Sequence, residues 1–324
     1  MRTTEVEASV TEQGALQSSI ADLRQQIIAL RDLIGEQRLP WYENAIRSST
    51  LASIAQTSQL LLQGHYQRLL AEGKAMPSLT DVEFRCYSQT GEDGIIHYVF
   101  AVLGAGPKRA VEVCAGNGLE CNAANLIVNH GWDALLFDGD TNNIAAGKEF
   151  YRVCRDTWCR PPTLVEAWIT AENVDALIVG NGYAGEIGLL SVDVDGMDYW
   201  IWRAIRSVSP RLVVVEFSCC WGPELSVSVP YDPNFRMDFS KTPYYTGASL
   251  TAFCKLAQEK GYRLIGVNRL GFNAFFLRND LGCTVFPALS PADCFRMNAA
   301  LQPWSPSWIP SASDRPEFHT VTEI

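Results

Sequence analysis

The sequence predicts an α/β fold: a doubly wound seven-stranded sheet, mainly parallel with its last strand antiparallel, carrying an N-terminal α-helical extension. Three observations predict it. Short apolar, β-branched runs alternate with helix-like stretches from Phe84 onward. The last two runs are joined only by Asn268–Phe272, too short for a crossover, so they pair antiparallel. The first run, Ala110–Val113, breaks into Gly116 and Gly118 before a helix-like segment, as a buried parallel strand does when its backbone must approach a ligand.

Taken in order, residues 1–14 are polar and acidic and are expected to form a disordered tail, not a signal peptide. Residues 15–83 read as a helical arm or hairpin. Leu16, Ile20, Leu23, Ile27, Leu30 and Ile34 step by fours and threes, the a/d seam of a coiled coil, and Pro40 ends it. A second helix is expected from about Glu43 to Ala71, with Leu60, Leu61, Leu62, Tyr66, Leu69 and Leu70 on a wide apolar face. Two readings stay open: an arm that joins two copies into a homodimer, or a hairpin packed on its own core. Residues 84–290 make the α/β domain, with strands at 109–114, 133–138, 163–169, 187–194, 211–218, 262–267 and 273–277. Helices are expected at 119–129, 141–151, 171–179, 197–206 and 248–260. Residues 291–324 are expected to be an irregular tail, rich in Pro and Ser over 302–316 with Trp304 and Trp308.

With 324 residues, 47% of them hydrophobic, the chain can bury one large core and an accessory segment. No apolar run approaches the roughly 18–20 residues that span a bilayer, so no membrane partner is expected. The ten cysteines stand singly or adjacent (Cys219, Cys220) without CxxC pairs, which fits reduced thiols in a cytoplasmic protein. Zinc is excluded by four histidines, none at ligand spacing from a cysteine. A net charge of −10 without a Lys/Arg cluster excludes broad binding to nucleic acid and leaves a small-molecule partner.

In open parallel sheets ligands bind beyond the carboxyl ends of the strands. Here those ends are Glu112–Gly118, Asp138-Gly139-Asp140, Trp168-Ile169, Asp193-Val194-Asp195-Gly196 and Glu216-Phe217-Ser218. Helix N-capping accounts for one or two of these acids; so many on one rim fit a binding site. A pyrophosphate favours bare amides over converging carboxylates. A ligand with a ribose diol and a positive centre fits better, and S-adenosylmethionine has both.

Glu112-x-Cys114-x-Gly116-x-Gly118 resembles the first motif of class I S-adenosylmethionine-dependent methyltransferases, normally (Asp/Glu)-x-Gly-x-Gly-x-Gly. Leu190-Ser-Val-Asp193-Val-Asp195-Gly196-Met-Asp198 is similar to the FkbM-type signature, usually Lys-Ile-Asp-Val-Glu-Gly-x-Glu. The resemblance covers about residues 84–280 and implies a Rossmann-like sheet of order 3-2-1-4-5-7-6. Two departures stand out. Cys114 replaces a glycine, which is tolerated if its backbone stays at negative φ; Ser191 replaces the lysine, so any role of that lysine is absent.

The resemblance implies that the turn Glu112, Ala115, Gly116, Asn117 and Gly118 lies against the methionine part of the cofactor. Asp138, beside Gly139, would accept the ribose hydroxyls, with Asp140 the competing choice. Trp168 and Ile169 would flank the adenine, and Asp193 would sit where sulfonium meets acceptor. Residues 87–94 open a helix, with Thr90 expected to cap it and Asp93 in a capping-box position. Gln89, Glu92 or Asp93 would cover the amino-acid end of the cofactor. His97 reads as an ordinary histidine rather than a base, and His130 lies on the far side of the sheet from the rim.

The connection 219–247, with Trp221, Tyr231, Phe235, Phe239, Tyr244 and Tyr245, is long enough to suggest function and suits a flat, partly polar acceptor. The reaction these features imply is methyl transfer to a hydroxyl of a saccharide or secondary metabolite. Asp193, Asp195 and Glu216 are the candidate bases, or else ligands of a Mg2+ ion that lowers the acceptor's pKa. Two other functions compete: a Rossmann-type NAD(P)-dependent oxidoreductase, and a catalytically silent cofactor-binding scaffold.

Overall fold

The computed structural model describes residues 41–237, 246–298, 301 and 319–320, of which 41–54 and 319–320 as backbone only. The expected tail over 1–14, the heptad seam of 15–35 and the Pro/Ser-rich stretch 302–316 lie outside the described residues. The chain divides into a unit Met1–Arg47, whose described part is the opening of a helix, and a compact body Ser48–Ile324.

Seven strands form the main sheet: β1 (Arg109–Val113), β2 (Asp133–Asp138), β3 (Thr163–Glu166), β4 (Gly185–Val192), β5 (Val208–Glu216), β7 (Tyr262–Val267) and β8 (Asn273–Arg278). The intervening β6 (Val227–Ser228) pairs with β9 (His319–Thr320) in a separate ribbon. The main sheet runs β3-β2-β1-β4-β5-β8-β7, the expected doubly wound order. β1 to β5 are parallel, and β8 runs antiparallel to both β5 and β7.

Both faces are apolar because both are covered. Val111, Val113, Val213, Val215, Ala274 and Phe276 meet a layer built from α5 (Val174–Gly180), α6 (Asp198–Ala204), α7 (Leu250–Lys260) and α8 (Pro291–Met297). Ala110, Leu136, Leu212, Val214, Phe275 and Leu277 meet α1 (Trp41–Ala71), α2 (Glu92–Leu103), α3 (Ala124–His130) and α4 (Thr141–Val153). Among the described residues no helix is long and apolar enough to cross a membrane.

Of the element boundaries that depart from the sequence reading, among them β3 ending at Glu166 and β5 starting at Val208, three have a clear local reason. α3 starts at Ala124 instead of residue 119, because Gly116 and Gly118 hold left-handed φ and the chain turns on itself before the helix. α2 is capped by Gly91, not Thr90, and the Asp93 carboxylate bonds backward to the N–H groups of Cys86, Tyr87 and Ser88. α8 lies inside the segment expected to be irregular. It begins with a reciprocal Ser290–Asp293 capping box and Pro291 in its first turn, a helix start written in the sequence.

Candidate functional site

Because β1 to β5 are parallel, their carboxyl ends share one rim. Asp138 closes β2 and is buried. One of its oxygens accepts the Gly116 N–H at 2.8 Å; the other accepts the Asp140 N–H at 2.9 Å and the Asn143 side-chain amide at 3.1 Å. A carboxylate offers about four lone-pair sites, so the Gly116-bound oxygen keeps capacity for an outside donor. Asp140 is exposed and caps α4, its Oδ1 accepting the N–H groups of Asn142 and Asn143. Of the two competing acids, only Asp138 lines the cavity.

The turn after β1 is held by the Ala115 N–H on the Phe137 carbonyl at 2.8 Å and by the Gly118 N–H on the Ala115 carbonyl at 2.8 Å. Asn117 Oδ1 accepts the Leu119 N–H at 3.0 Å, so this side chain stabilises the turn. The condition of a negative φ at Cys114 is not met: its φ is +65°, the conformation a glycine would adopt without strain. Its thiol lines the cleft and is pushed up to about 12, by desolvation there and then by the carboxylates of Asp138, Asp193, Asp195 and Asp198. Glu112 also departs from its expected role. Fully enclosed, it accepts the N–H groups of Asn122 at 2.9 Å and Ala123 at 2.7 Å, so it anchors the start of α3 instead of facing a ligand.

A cavity of about 330 Å³ lies over the ends of β1 to β4, lined by Cys114, Asp138, Gly139, Trp168, Ile169 and Asp195. Its outer wall is the strap Tyr231–Met237, from the connection expected to serve an acceptor. Trp168 Nε1 donates to the Pro233 carbonyl at 2.8 Å, and the Arg236 guanidinium stacks 4.5 Å above the Trp168 ring. The Tyr231 hydroxyl accepts the Ala171 N–H at 3.0 Å and donates to Glu172. This part of the loop therefore covers the half of the rim that the resemblance gives to the adenosine. Trp221 is buried in the core; Phe239, Tyr244 and Tyr245 lie outside the described residues.

Asp193, Asp195 and Glu216 bring one carboxylate oxygen each to within 4.8 Å of one another. Burial, then the neighbouring carboxylates, push Asp193 and Glu216 upward, Glu216 the further. Asp195 stands at φ +52°, and partial desolvation of its carboxyl raises it too. The turn that presents these groups is clamped by Asp198, which is fully buried and accepts the N–H groups of Val194 at 2.8 Å and Gly196 at 3.0 Å. A Cβ on Gly196 would sit 2.5 Å from the Phe235 ring, so the strap closes onto this turn.

Behind the cluster, Asn273 stands opposite Glu216 in the β5–β8 pairing. Its amide donates to Glu92 Oε1 at 3.0 Å, beside Asn268 at 2.7 Å, while its own Oδ1 is buried without a partner. Glu92 thus joins α2 to the β7–β8 turn. Ser191, where the resembled signature has lysine, takes the Asn122 amide at 3.0 Å. Gln89 is exposed and stands apart from the residues lining the cavity. Sequence reasoning missed Asp198, Pro233 and Arg236. For Asp198 a signal existed, an acid just beyond Gly196 in the quoted motif. Pro233 and Arg236 lie in the connection already singled out by its length, but their pairing with Trp168 had no signal, because the partners are distant in sequence.

No family model and no curated protein matches this chain. Among solved structures, the chain is similar to the magnesium protoporphyrin IX methyltransferase of Synechocystis PCC 6803 with bound S-adenosylmethionine. That likeness has 9% identity, 58% of this chain and 77% of the other covered, and TM-score 0.36. It is also similar to the N-terminal domain of EvdMO1 with S-adenosylhomocysteine bound (12% identity, 67% and 93% covered, TM-score 0.40). A third is the glycopeptide N-methyltransferase MtfA complexed with S-adenosylmethionine (11% identity, 52% and 79% covered, TM-score 0.32).

Proposed function

We propose that the chain is an S-adenosylmethionine-dependent methyltransferase of the FkbM type, transferring a methyl group to a hydroxyl of a saccharide or secondary-metabolite acceptor. One observation carries the reading: the cavity is lined by Cys114 of the β1 turn, Asp138, Gly139, Trp168 and Ile169, the positions at which the resemblance puts the cofactor. The residues fit such a ligand. Asp138 retains an acceptor site for a diol, the Trp168 ring offers a flat apolar wall, and the surrounding carboxylates favour a cation over a pyrophosphate.

The bound cofactor supplies a methyl group already activated by its sulfonium, so the protein's task is alignment and, at the acceptor, proton removal. Asp193 and Glu216 share protons at neutral pH because two enclosed carboxyls this close do not both ionise. In this reading the deprotonated member takes the hydroxyl proton, a contribution worth about 10²–10⁴-fold, with Asp195, the member of the cluster that lines the cavity, beside it.

A second reading of the same cluster is a Mg2+ site. It is favoured by three hard oxygen donors within 4.8 Å and by the unpartnered Asn273 Oδ1 behind Glu216.

Calorimetric titration with S-adenosylmethionine and with NAD tests the main reading. Micromolar binding of the former with none of the latter is expected. Binding of NAD alone would make the chain an oxidoreductase, and cofactor binding without turnover on any hydroxylated acceptor would leave a scaffold. Repeating the titration with Mg2+ and with EDTA tests the second reading.

A further inference from the structure

We propose that the stacked pair His97–His130 is a proton-operated latch that holds α1 on the body at neutral pH and releases it on acidification. The pair sits on the face of the sheet away from the strap, between α1, α2 and α3.

The latch closes on one side chain. Gln59 of α1 is buried and reaches into a pocket formed by His97 of α2 with Asn125 and His130 of α3. His97 Nε2 bonds the Gln59 carbonyl at 2.9 Å, and His130 Nε2 bonds Gln59 Oε1 at 2.6 Å. The Gln59 and Asn125 amides pair reciprocally at 3.0 Å, and Asn125 also takes the Asn129 amide at 2.7 Å. Both imidazoles therefore act as donors to a neutral amide residue, and the two rings stack with centroids 5.4 Å apart at 27°.

Among the described residues no carboxylate pairs with either ring; the acceptors that face them are the two Gln59 oxygens, and Asp93 Oδ1, one turn before His97, is buried without a partner. His97 is bordered by Gln59, the rings of Tyr66 and Phe84, and His130. His130 is bordered by His97, Gln59 and Lys108, whose ammonium donates to the His130 carbonyl at 3.1 Å. The nearby Asp93 spends one oxygen on the backbone of Cys86, Tyr87 and Ser88. Burial pushes both imidazoles down, offset in part for His97 by its bond to the Gln59 carbonyl; for His130, the charges on His97 and Lys108 push further. Adding a proton, at Nδ1 since each Nε2 already donates to Gln59, thus buries a cation against a second imidazole and a lysine, and the cost is relieved only when the pocket opens to water. Opening the pocket rehydrates the charge and loosens α1, which is also tied by Gln56 to the Asn129 carbonyl at 2.5 Å, by Gln59 to Cys86 Sγ at 3.5 Å and by Gln67 to the Ala101 carbonyl at 3.2 Å.

Hydrogen exchange of the full chain at pH 7.5 and 5.0, corrected for intrinsic chemistry, reads this directly. Peptides over Gln56–Ala71 are expected to lose protection at least tenfold at pH 5.0, while peptides over β4 and β5 hold theirs. Gln59→Glu puts a carboxylate between the imidazoles, so in that variant α1 should stay protected at pH 5.0, a reversal that a passive packing role would not give. Should Gln59→Glu fail to fold, His130→Asn replaces the titrating ring by a neutral donor and should shrink the pH response at least threefold. Equal α1 protection at both pH values, loss in Gln59→Glu matching the wild type, or an undiminished response in His130→Asn would overturn the latch.

Discussion

The backbone N–H of Gly116 donates to the Asp138 carboxylate over 2.8 Å, so the turn after β1 and the end of β2 move as one piece. Any test of Asp138 as a ribose acceptor is therefore also a test of the turn. Asp138→Ala leaves the donors of Gly116, Asp140 and Asn143 without their acceptor and is expected to destabilise the fold by about 1–3 kcal/mol. It should also weaken S-adenosylhomocysteine binding at least tenfold. Urea unfolding and calorimetry separate the two effects, and an unchanged affinity would remove Asp138 from the site.

Trp168 gives a cleaner probe, because it is 46% exposed and its loss opens no core cavity. Trp168→Ala deletes the hydrogen bond to Pro233 and the stacking of Arg236, the two contacts that draw the strap over the cleft. Stability should change by less than about 1 kcal/mol, as for other exposed contacts. Ligand affinity should fall several-fold, and proteolysis within 231–237 should accelerate. A variant with wild-type affinity would show that the strap is held by Tyr231 and Phe235 alone.

Cys114 holds a conformation that costs an L-residue about 1–2 kcal/mol. Cys114→Gly removes that strain against about 0.5–1 kcal/mol of extra chain entropy, so a net stabilisation of up to about 1 kcal/mol is expected in urea unfolding. Cys114→Val adds a β-branch at the same φ and should destabilise. Were the glycine variant the less stable of the two, the thiol would have to make a contact worth more than the strain.

The sheet order was legible because it follows from local punctuation: apolar runs of strand length, single helices between them, and a link of five residues, Asn268–Phe272, that permits only an antiparallel return. The acid cluster was legible for a related reason, since in a parallel sheet the carboxyl ends of neighbouring strands must share an edge. What each acid does was not legible. Glu112, Asp138 and Asp140 read alike as strand-end acids, yet one anchors α3, one lines the cavity while bonding Gly116, and one caps α4. That division is set by which N–H groups the folded chain leaves unpaired nearby. That the connection 219–247 lies over the rim was legible from its length, whereas where it closes was not, because that depends on contacts to Trp168 and Gly196, more than thirty residues upstream.

Glu216 tests whether the cluster trades stability for chemistry. Its carboxyl is raised by burial and then by Asp193, Asp198 and Asp195, and Asp193 is raised in turn. From the ordinary carboxyl range near 4.5 upward through neutral pH, the folded chain retains protons that the unfolded chain has lost. The unfolded state binds fewer protons in that window, so stability falls as pH rises across it. Glu216→Gln removes one of the repelling charges while keeping size and an acceptor oxygen. Its Tm should exceed the wild type's by a few degrees at pH 8 and approach it at pH 5, where the wild-type pair is already protonated. If the cluster holds Mg2+, millimolar Mg2+ should raise the wild-type Tm at pH 8 and leave the variant's unmoved. A Glu216→Gln variant less stable than wild type at pH 8 without added metal would mean that an attractive partner, and not mutual repulsion, governs this carboxylate.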